Sequence, residues 1–249
     1  MKNLDFIAVG DTTVDDFIKL KDAEVHCDIN NENCTICMRF GDKIPYESST
    51  AVYGVGNAAN AAVCAARLGL SSGFISNVGD DRNGEKILEQ FKNEGVDITD
   101  VQKNKGIHTN YHYVLWYGDE RTILVKHNAF RYAFPKDFQE PKTMYLSSLG
   151  EAAEKYHDEV AEYVEAHPKV FFVFQPGTFQ IKLGVTRLKQ LYKRADLFAV
   201  NKEEAQRILG VPETDDDVEK LAKKLRELGP KIVLITDDKN GAYALPENG

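Results

Sequence analysis

A chain of 249 residues, 43% hydrophobic and 28% charged, carries enough apolar material for one large α/β domain or a domain with a small appendage. Its net charge of -8 disfavours generic binding to nucleic acid or anionic membranes, because the long-range field repels phosphates, yet it permits a small phosphorylated ligand in a locally positive pocket. No apolar run approaches the ~20 residues that span a bilayer, and Met1-Lys2-Asn3-Leu4-Asp5 lacks a signal peptide's apolar core, so a cytoplasmic protein is expected.

Leu4–Val9 reads as an apolar strand broken only by Asp5 and ending at Gly10. The next stretch, Gly10-Asp11-Thr12-Thr13-Val14-Asp15-Asp16, reads by itself as a polar loop with local turn bonds. Its carboxylates also suit sugar hydroxyls, since each accepts paired O–H bonds. Phe17–Tyr53 shows no helical period but short alternating runs, including Cys34–Phe40 and Ile44–Ser48. Cys27, Cys34 and Cys37 crowd together there, and Cys64 follows. Without a secretion signal they read as reduced thiols packing a β layer. The alternative is a zinc site completed by His26, His108, His112 or His127, although a second paired knuckle is missing.

Asn57–Leu68 is an alanine-rich helix entered through Gly56 and closed by Gly69, with Asn60 the polar residue on a small-residue face. Phe74–Val78 is a strand, and a helix runs from about Asn83 to Glu94 with Asp81 as its cap. Thr109–Trp116 and Thr122–Lys126 flank a turn and read as a hairpin. Segments of about 17–53 and 109–126 therefore suggest a small β lid. Thr143–Leu146 and Val170–Phe174 are buried strands on either side of a helix Glu151–Ala166. The strand Leu197–Val200 meets the helix Lys202–Leu209, where Asn201 and Glu204 have the spacing of a capping box. The same pair suits magnesium-bound phosphate reached through water, and spacing does not separate the two. Asp215-Asp216-Asp217 opens the helix Val218–Leu228, followed by strands Ile232–Thr236 and Gly241–Leu245. This alternation predicts a mostly parallel sheet with helices on both faces, and ligands beyond the carboxyl ends of its strands.

Val55–Gly69 resembles the first signature of the ribokinase/PfkB carbohydrate kinase family, with Val55 in the place of its first glycine. Gly10–Asp15, Val78–Gly84 with Gly95-Val96-Asp97, and Asn201–Glu204 follow in the family's order, and Phe174-Gln175-Pro176-Gly177-Thr178 resembles a further loop of some members. The resemblance implies a three-layer ribokinase-like fold with a β lid, and ATP- and Mg2+-dependent phosphorylation of an alcohol on a sugar or nucleoside. It assigns Asp15, Gly56, Asn57 and Asn60 to the substrate, Asn201 and Glu204 to phosphate and magnesium, and Thr236 and Gly241 to the nucleotide. Asp238 stands where the family usually has glycine. A second signature, Gly-Ala-Gly-Asp, would supply the general base and an anion hole; it does not occur here. The fold's C-terminal part is therefore expected to be missing, with the base beyond Gly249 and little turnover by the 249 residues alone. The long lid segment suggests a bulkier substrate or a homodimer formed through lid strands. The competing expectation is a non-catalytic ligand-binding protein on the same scaffold. A nicotinamide-binding Rossmann enzyme fits poorly, because Gly54-x-Gly56 lacks the third glycine.

Overall fold

Short apolar runs build the centre of this molecule, because a parallel strand covered on both faces needs apolar side chains in both directions. The computed structural model describes residues 4–28, 34–135 and 137–248; Met1–Asn3, the middle of the cysteine-rich segment at 29–33, residue 136 and Gly249 lie outside the described residues. In chain order the elements are β1 (Phe6–Val9), β2 (Thr13–Leu20), β3 (Glu24–His26), β4 (Thr35–Cys37) and β5 (Tyr46–Val55). Then come α1 (Asn57–Arg67), β6 (Ser72–Gly79), α2 (Arg82–Asn93), β7 (Val101–Asn104), β8 (Tyr111–Tyr117), β9 (Glu120–Leu124) and β10 (Thr143–Leu146). The rest are α3 (Tyr156–Ala166), β11 (Phe171–Phe174), α4 (Thr178–Arg187), α5 (Lys189–Arg194), β12 (Leu197–Asn201), α6 (Lys202–Leu209), α7 (Val218–Arg226), β13 (Ile232–Thr236) and β14 (Ala242–Leu245).

Among the described residues the main sheet has the order β14-β13-β12-β11-β10-β1-β6-β7, parallel throughout except for β14 at one edge. Alternation along β1 sends Ile7 and Val9 into one core and Ala8 into another. The first core packs Met144, Phe172, Phe174 and Phe198 under α3, α5, α6 and α7. The second sets the alanines of α1, together with Ile87 and Phe91 of α2, against the opposite face. Two cores on two faces make three layers. A second sheet, β5-β2-β8-β9, draws its strands from both segments flagged as lid, and β3 and β4 form a separate ribbon. Among the described residues no helix is long and apolar enough to cross a membrane.

Several expectations change. The stretch read as a polar loop after β1 is strand from Thr13 onward, because Val14 is buried and Asp15 and Asp16 pair with β5 and β8. The helix expected from Glu151 begins at Tyr156 after a short 3-10 turn, where the Gly150 N–H is drawn to Asp11. The thiols are not all reduced: Cys27 and Cys34 form a disulfide. Pairing of His26 with Thr35 places the next residues, Cys27 and Cys34, opposite each other, so register alone brings the sulfurs together. Zinc through Cys27, Cys34 and Cys37 therefore loses two of its three thiolates. Among the described residues no group of three His, Cys, Asp or Glu side chains is placed to hold a metal.

Candidate functional site

β1, β10 and β11 end level with one another, pairing Val9 with Leu146 and Leu146 with Phe174, so their exit loops share one edge of the sheet. Between that edge and the second sheet lies a cleft of about 440 Å³, within the size range of small-molecule sites. The β1 exit contributes Asp11, Thr12 and Thr13, and β2 contributes Asp15. The start of α1 brings Gly56 and Asn57, β8 brings His112, and the chain after β9 brings Val125 and His127. Ser148 and Leu149 follow β10, while Thr178, Phe179 and Lys182 come from α4.

Asp11 anchors this edge. Tyr132 donates its O–H to both carboxylate oxygens, at 2.9 and 2.8 Å, the Gly150 N–H donates at 2.8 Å, and His127 Nδ1 lies 3.4 Å away. Burial and the Asp11 charge hold the Tyr132 phenol far above its ordinary value, so it remains a donor. Asp15 is different. Its Oδ1 is 3.2 Å from His112 Nδ1, yet among the described residues Asp15 Oδ1 and His112 Nε2 are buried without a hydrogen-bond partner. Each such atom costs about 1–3 kcal/mol unless a ligand completes it.

Gly56 is fixed by geometry: its φ of +120° suits glycine, and a Cβ there would stand 3.0 Å from the Asp11 carbonyl oxygen. Gly177 is fixed by approach, since a side chain would collide with Ser148. Asn57 Nδ2 donates to Ser148 Oγ at 3.4 Å. Val55 sits comfortably in strand backbone, pairing with Thr13 and accepting from Thr12 Oγ1 at 3.1 Å. Asn60 lies elsewhere, exposed on α1 and lining a separate groove with Arg67 and Glu94.

The remaining motif residues gather at β12 and β13. Register pairs Asn201 with Thr236. Asn201 Oδ1 accepts from the Glu204 N–H at 2.7 Å, and Glu204 Oε2 accepts from the Asn201 N–H at 3.0 Å, a complete capping box. Lys202 bridges Asp237 at 2.9 Å and Asp216 at 3.3 Å, and its ammonium holds the Asp237 carboxyl below the usual carboxylate range. Asp238, exposed, adopts φ +43°, and Gly241 adopts φ +94°. Between the two ends, Tyr145 on β10 donates to Gln175 Oε1 at 2.7 Å.

His112, His127, Phe179 and Lys182 were not singled out as a cleft from sequence. The usable signal was alternation: in β8, residue 112 shares a face with 114 and 116. Only the pairing of Asp15 with His112 shows which face meets the cleft.

The sequence matches the description "pfkB family carbohydrate kinase" over residues 16–249. It is 28% identical over 271 aligned positions to a 5-dehydro-2-deoxygluconokinase of Geobacillus thermodenitrificans, covering 100% of this chain and 73% of that protein. A ribokinase of Staphylococcus aureus is 25% identical, with 84% of this chain and 69% of that one covered. An Arabidopsis thaliana ribokinase solved in complex with ribose and ATP superposes with a TM-score of 0.76 at 19% identity, covering 100% of this chain and 76% of that one.

Proposed function

Given that the chain belongs to the pfkB family of carbohydrate kinases, we propose that its cleft binds a small polyhydroxylated alcohol, a sugar or nucleoside, which is phosphorylated from ATP bound over the ends of β12 and β13. The observation that carries this reading is a pair of residues lining the cleft: among the described residues, Asp15 Oδ1 and His112 Nε2 are buried without a hydrogen-bond partner. Ligand hydroxyls complete both, donating to the carboxylate and exchanging a hydrogen bond with the imidazole. Gly56 and Asn57 line the same space, and Asn60 is the member of the substrate set whose placement gives the reading no support.

For the donor, the proposal uses Thr236, Gly241 and the pair Asn201–Glu204. Magnesium keeps several waters and is usually held by one or two carboxylates plus phosphate. Glu204 fits that role: one oxygen caps the helix and the second is left for a metal-bound water. The ion would neutralise phosphate charge, while Asn201 and Glu204 position it. In the transfer the alcohol oxygen bonds to the γ-phosphorus, the bond to the β–γ bridging oxygen breaks, and the alcohol proton passes to a base. Asp11 already accepts from Tyr132 and Gly150, and Asp15 is assigned to hydroxyls, so this reading gives neither the part of the base. The 249-residue chain should bind both ligands and turn over little. Calorimetry with ribose, fructose, adenosine and ATP, paired with a phosphorylation assay, tests this: phosphorylation at an ordinary kinase rate would place the base inside these residues.

Asp238 favours a second reading, a ligand-binding protein without phosphotransfer, because it sets an anionic side chain on the nucleotide turn. Sugar binding without ATP binding would select it. Exposed Val52, Trp116 and Ile123 on the lid sheet support association of two copies through that sheet.

A further inference from the structure

We propose that Gln180 and His157 are positioning residues of the cleft, a buried amide fastening the start of α4 to the exit of β10 and a neutral imidazole deciding which way that amide faces; this rests on the cleft being the acceptor site. Gln180 is fully buried, and its polar atoms reach three separate parts of the fold. Its Oε1 accepts from the Gly177 N–H at 2.7 Å, while its Nε2 donates to the Ser147 carbonyl at 2.9 Å and lies 3.1 Å from His157 Nε2. Both anchored backbone groups immediately precede cleft residues, Ser148 and Leu149 on one side, Thr178 and Phe179 on the other. Other walls are set against these two, since Asn57 donates to Ser148 Oγ and His127 meets the Phe179 ring edge-on at 5.4 Å.

Helix α4 does not begin as α2, α6 and α7 do. Those are capped from the N-cap position itself, by Asp81, Asn201 and Asp217. At α4 that position is Gly177, where a Cβ would stand 2.7 Å from Ser148 Cβ, so a capping side chain does not fit. The cap comes instead from Gln180, which also ties the helix to β10. Helical backbone breaks at Gly184, with φ +83°, so residues 178–183 form a short piece whose placement depends on this anchor.

His157, 2% exposed, fixes the amide. Its Nδ1 lies 2.7 Å from the Ala153 carbonyl oxygen, which can only accept, so Nδ1 carries the proton and Nε2 accepts from Gln180. Turning the amide over would set its oxygen against two acceptors and its NH2 against the Gly177 N–H. Protonating the imidazole would set an N–H against that NH2 and remove the acceptor. Burial is the main influence and lowers the His157 pKa. Asp158 on its own helix favours the charged form, and Arg187 of α4, ion-paired to Asp158 and Glu154, opposes it. From α5, Gln190 and Leu191 line the same crevice. His157 is therefore neutral near pH 7 and takes up its proton only below the ordinary 6.5.

The experiment is calorimetric titration of the chain with D-ribose, D-fructose and adenosine as acceptors, and separately with ATP, each variant being checked as folded by circular dichroism. Gln180→Leu, similar in volume and without polar side-chain atoms, should weaken acceptor binding about tenfold at about pH 7.5 and leave ATP affinity within about twofold. His157→Gln, whose amide oxygen can still accept from Gln180, should retain most of the acceptor affinity there. At about pH 5.5 the wild type should lose several-fold more acceptor affinity than His157→Gln; the loss common to both belongs to groups inside the cleft such as His112 and His127. A lower melting temperature for Gln180→Leu with acceptor affinity unmoved would reject the inference and leave a packing network. Equal losses of acceptor and ATP affinity would reject it as a general loosening. Should Gln180→Leu not fold, the pH comparison decides alone, and parallel profiles for wild type and His157→Gln would reject the inference. In each of these cases acceptor binding that is lost in Asp15→Ala keeps the cleft reading. Failure of all three acceptors to bind the wild type would overturn that reading and the inference with it.

Discussion

The two ends of one sheet edge treat their polar groups in opposite ways. At β12 and β13 the protein satisfies itself: Asn201 and Glu204 cap one another, and Lys202 is closed by Asp216 and Asp237. Just below, Asp196 accepts from the Phe172 N–H at 2.8 Å and pairs with Arg194 at 2.8 Å and Lys231 at 2.6 Å. At β1 and β10 the scaffold is equally well satisfied around Asp11, but among the described residues the layer facing the cleft is left incomplete at Asp15 and His112. The difference separates groups that the fold itself completes from groups that it leaves open, which the proposed function gives to a ligand, and motif membership does not make that separation.

The largest expected effect lies on the incomplete side. Asp15→Ala should weaken acceptor binding about 100-fold, since about two hydrogen bonds to a charged group are lost. Its melting temperature should hold or rise slightly, because an unpartnered buried oxygen disappears. Calorimetry and thermal melts read both; a stability loss with intact affinity would make Asp15 a structural residue.

Asp196 should behave in reverse. Its side chain is only 10% exposed, so Asp196→Ala leaves Arg194 and the Phe172 amide without their partner and should cost about 3 kcal/mol in urea unfolding, with ligand affinity unchanged. Burial alone would raise this carboxyl, but Lys231, the Phe172 amide and Arg194 outweigh it and hold it below its ordinary 3.8. A depressed carboxyl contributes its full stability above the unfolded value and loses it as pH falls through the folded one. The gap between wild type and variant should therefore be constant near neutrality and close below about pH 4.

Asn201 and Glu204 test the boundary between the two kinds. As caps, each truncated to Ala should cost about 1 kcal/mol. If Glu204 also serves the nucleotide, Glu204→Ala should weaken ATP binding in the presence of magnesium more than in its absence. Equal losses in both conditions would leave only the cap.

How much of this was legible in sequence follows the same division. Strands such as Val170–Phe174 and Ile232–Thr236, the caps at Asp81 and Asn201, and the glycine at position 56 depend on local pattern and could be read. The polar strand β7 and the helix α4, whose Gly184 adopts φ +83°, carry weak local signals and were missed. The place of His112 in the cleft was out of reach because it arises from the pairing of β2 with β8, which sets it beside Asp15. The disulfide depends on the register of β3 against β4, which local sequence pattern does not fix.

The smallest expected effect is at Asp238. A non-glycine residue at φ +43° bears roughly 1 kcal/mol of strain, while glycine there adds about 0.5–1 kcal/mol of unfolded-state freedom. Asp238→Gly should thus leave stability within about 0.5 kcal/mol of wild type by either route. Its consequence should appear in binding. The carboxylate is exposed on the turn assigned to the nucleotide, and at roughly 8 Å in water each like-charge pair costs about 0.5 kcal/mol, near a twofold change. Removing it should raise ATP affinity a few-fold at low salt and less at high salt, with sugar binding unmoved. An unchanged ATP affinity at low salt would show that Asp238 does not disturb the phosphates. A large gain would mean that this chain's nucleotide end is held back by one side chain, whereas the acceptor end is held ready.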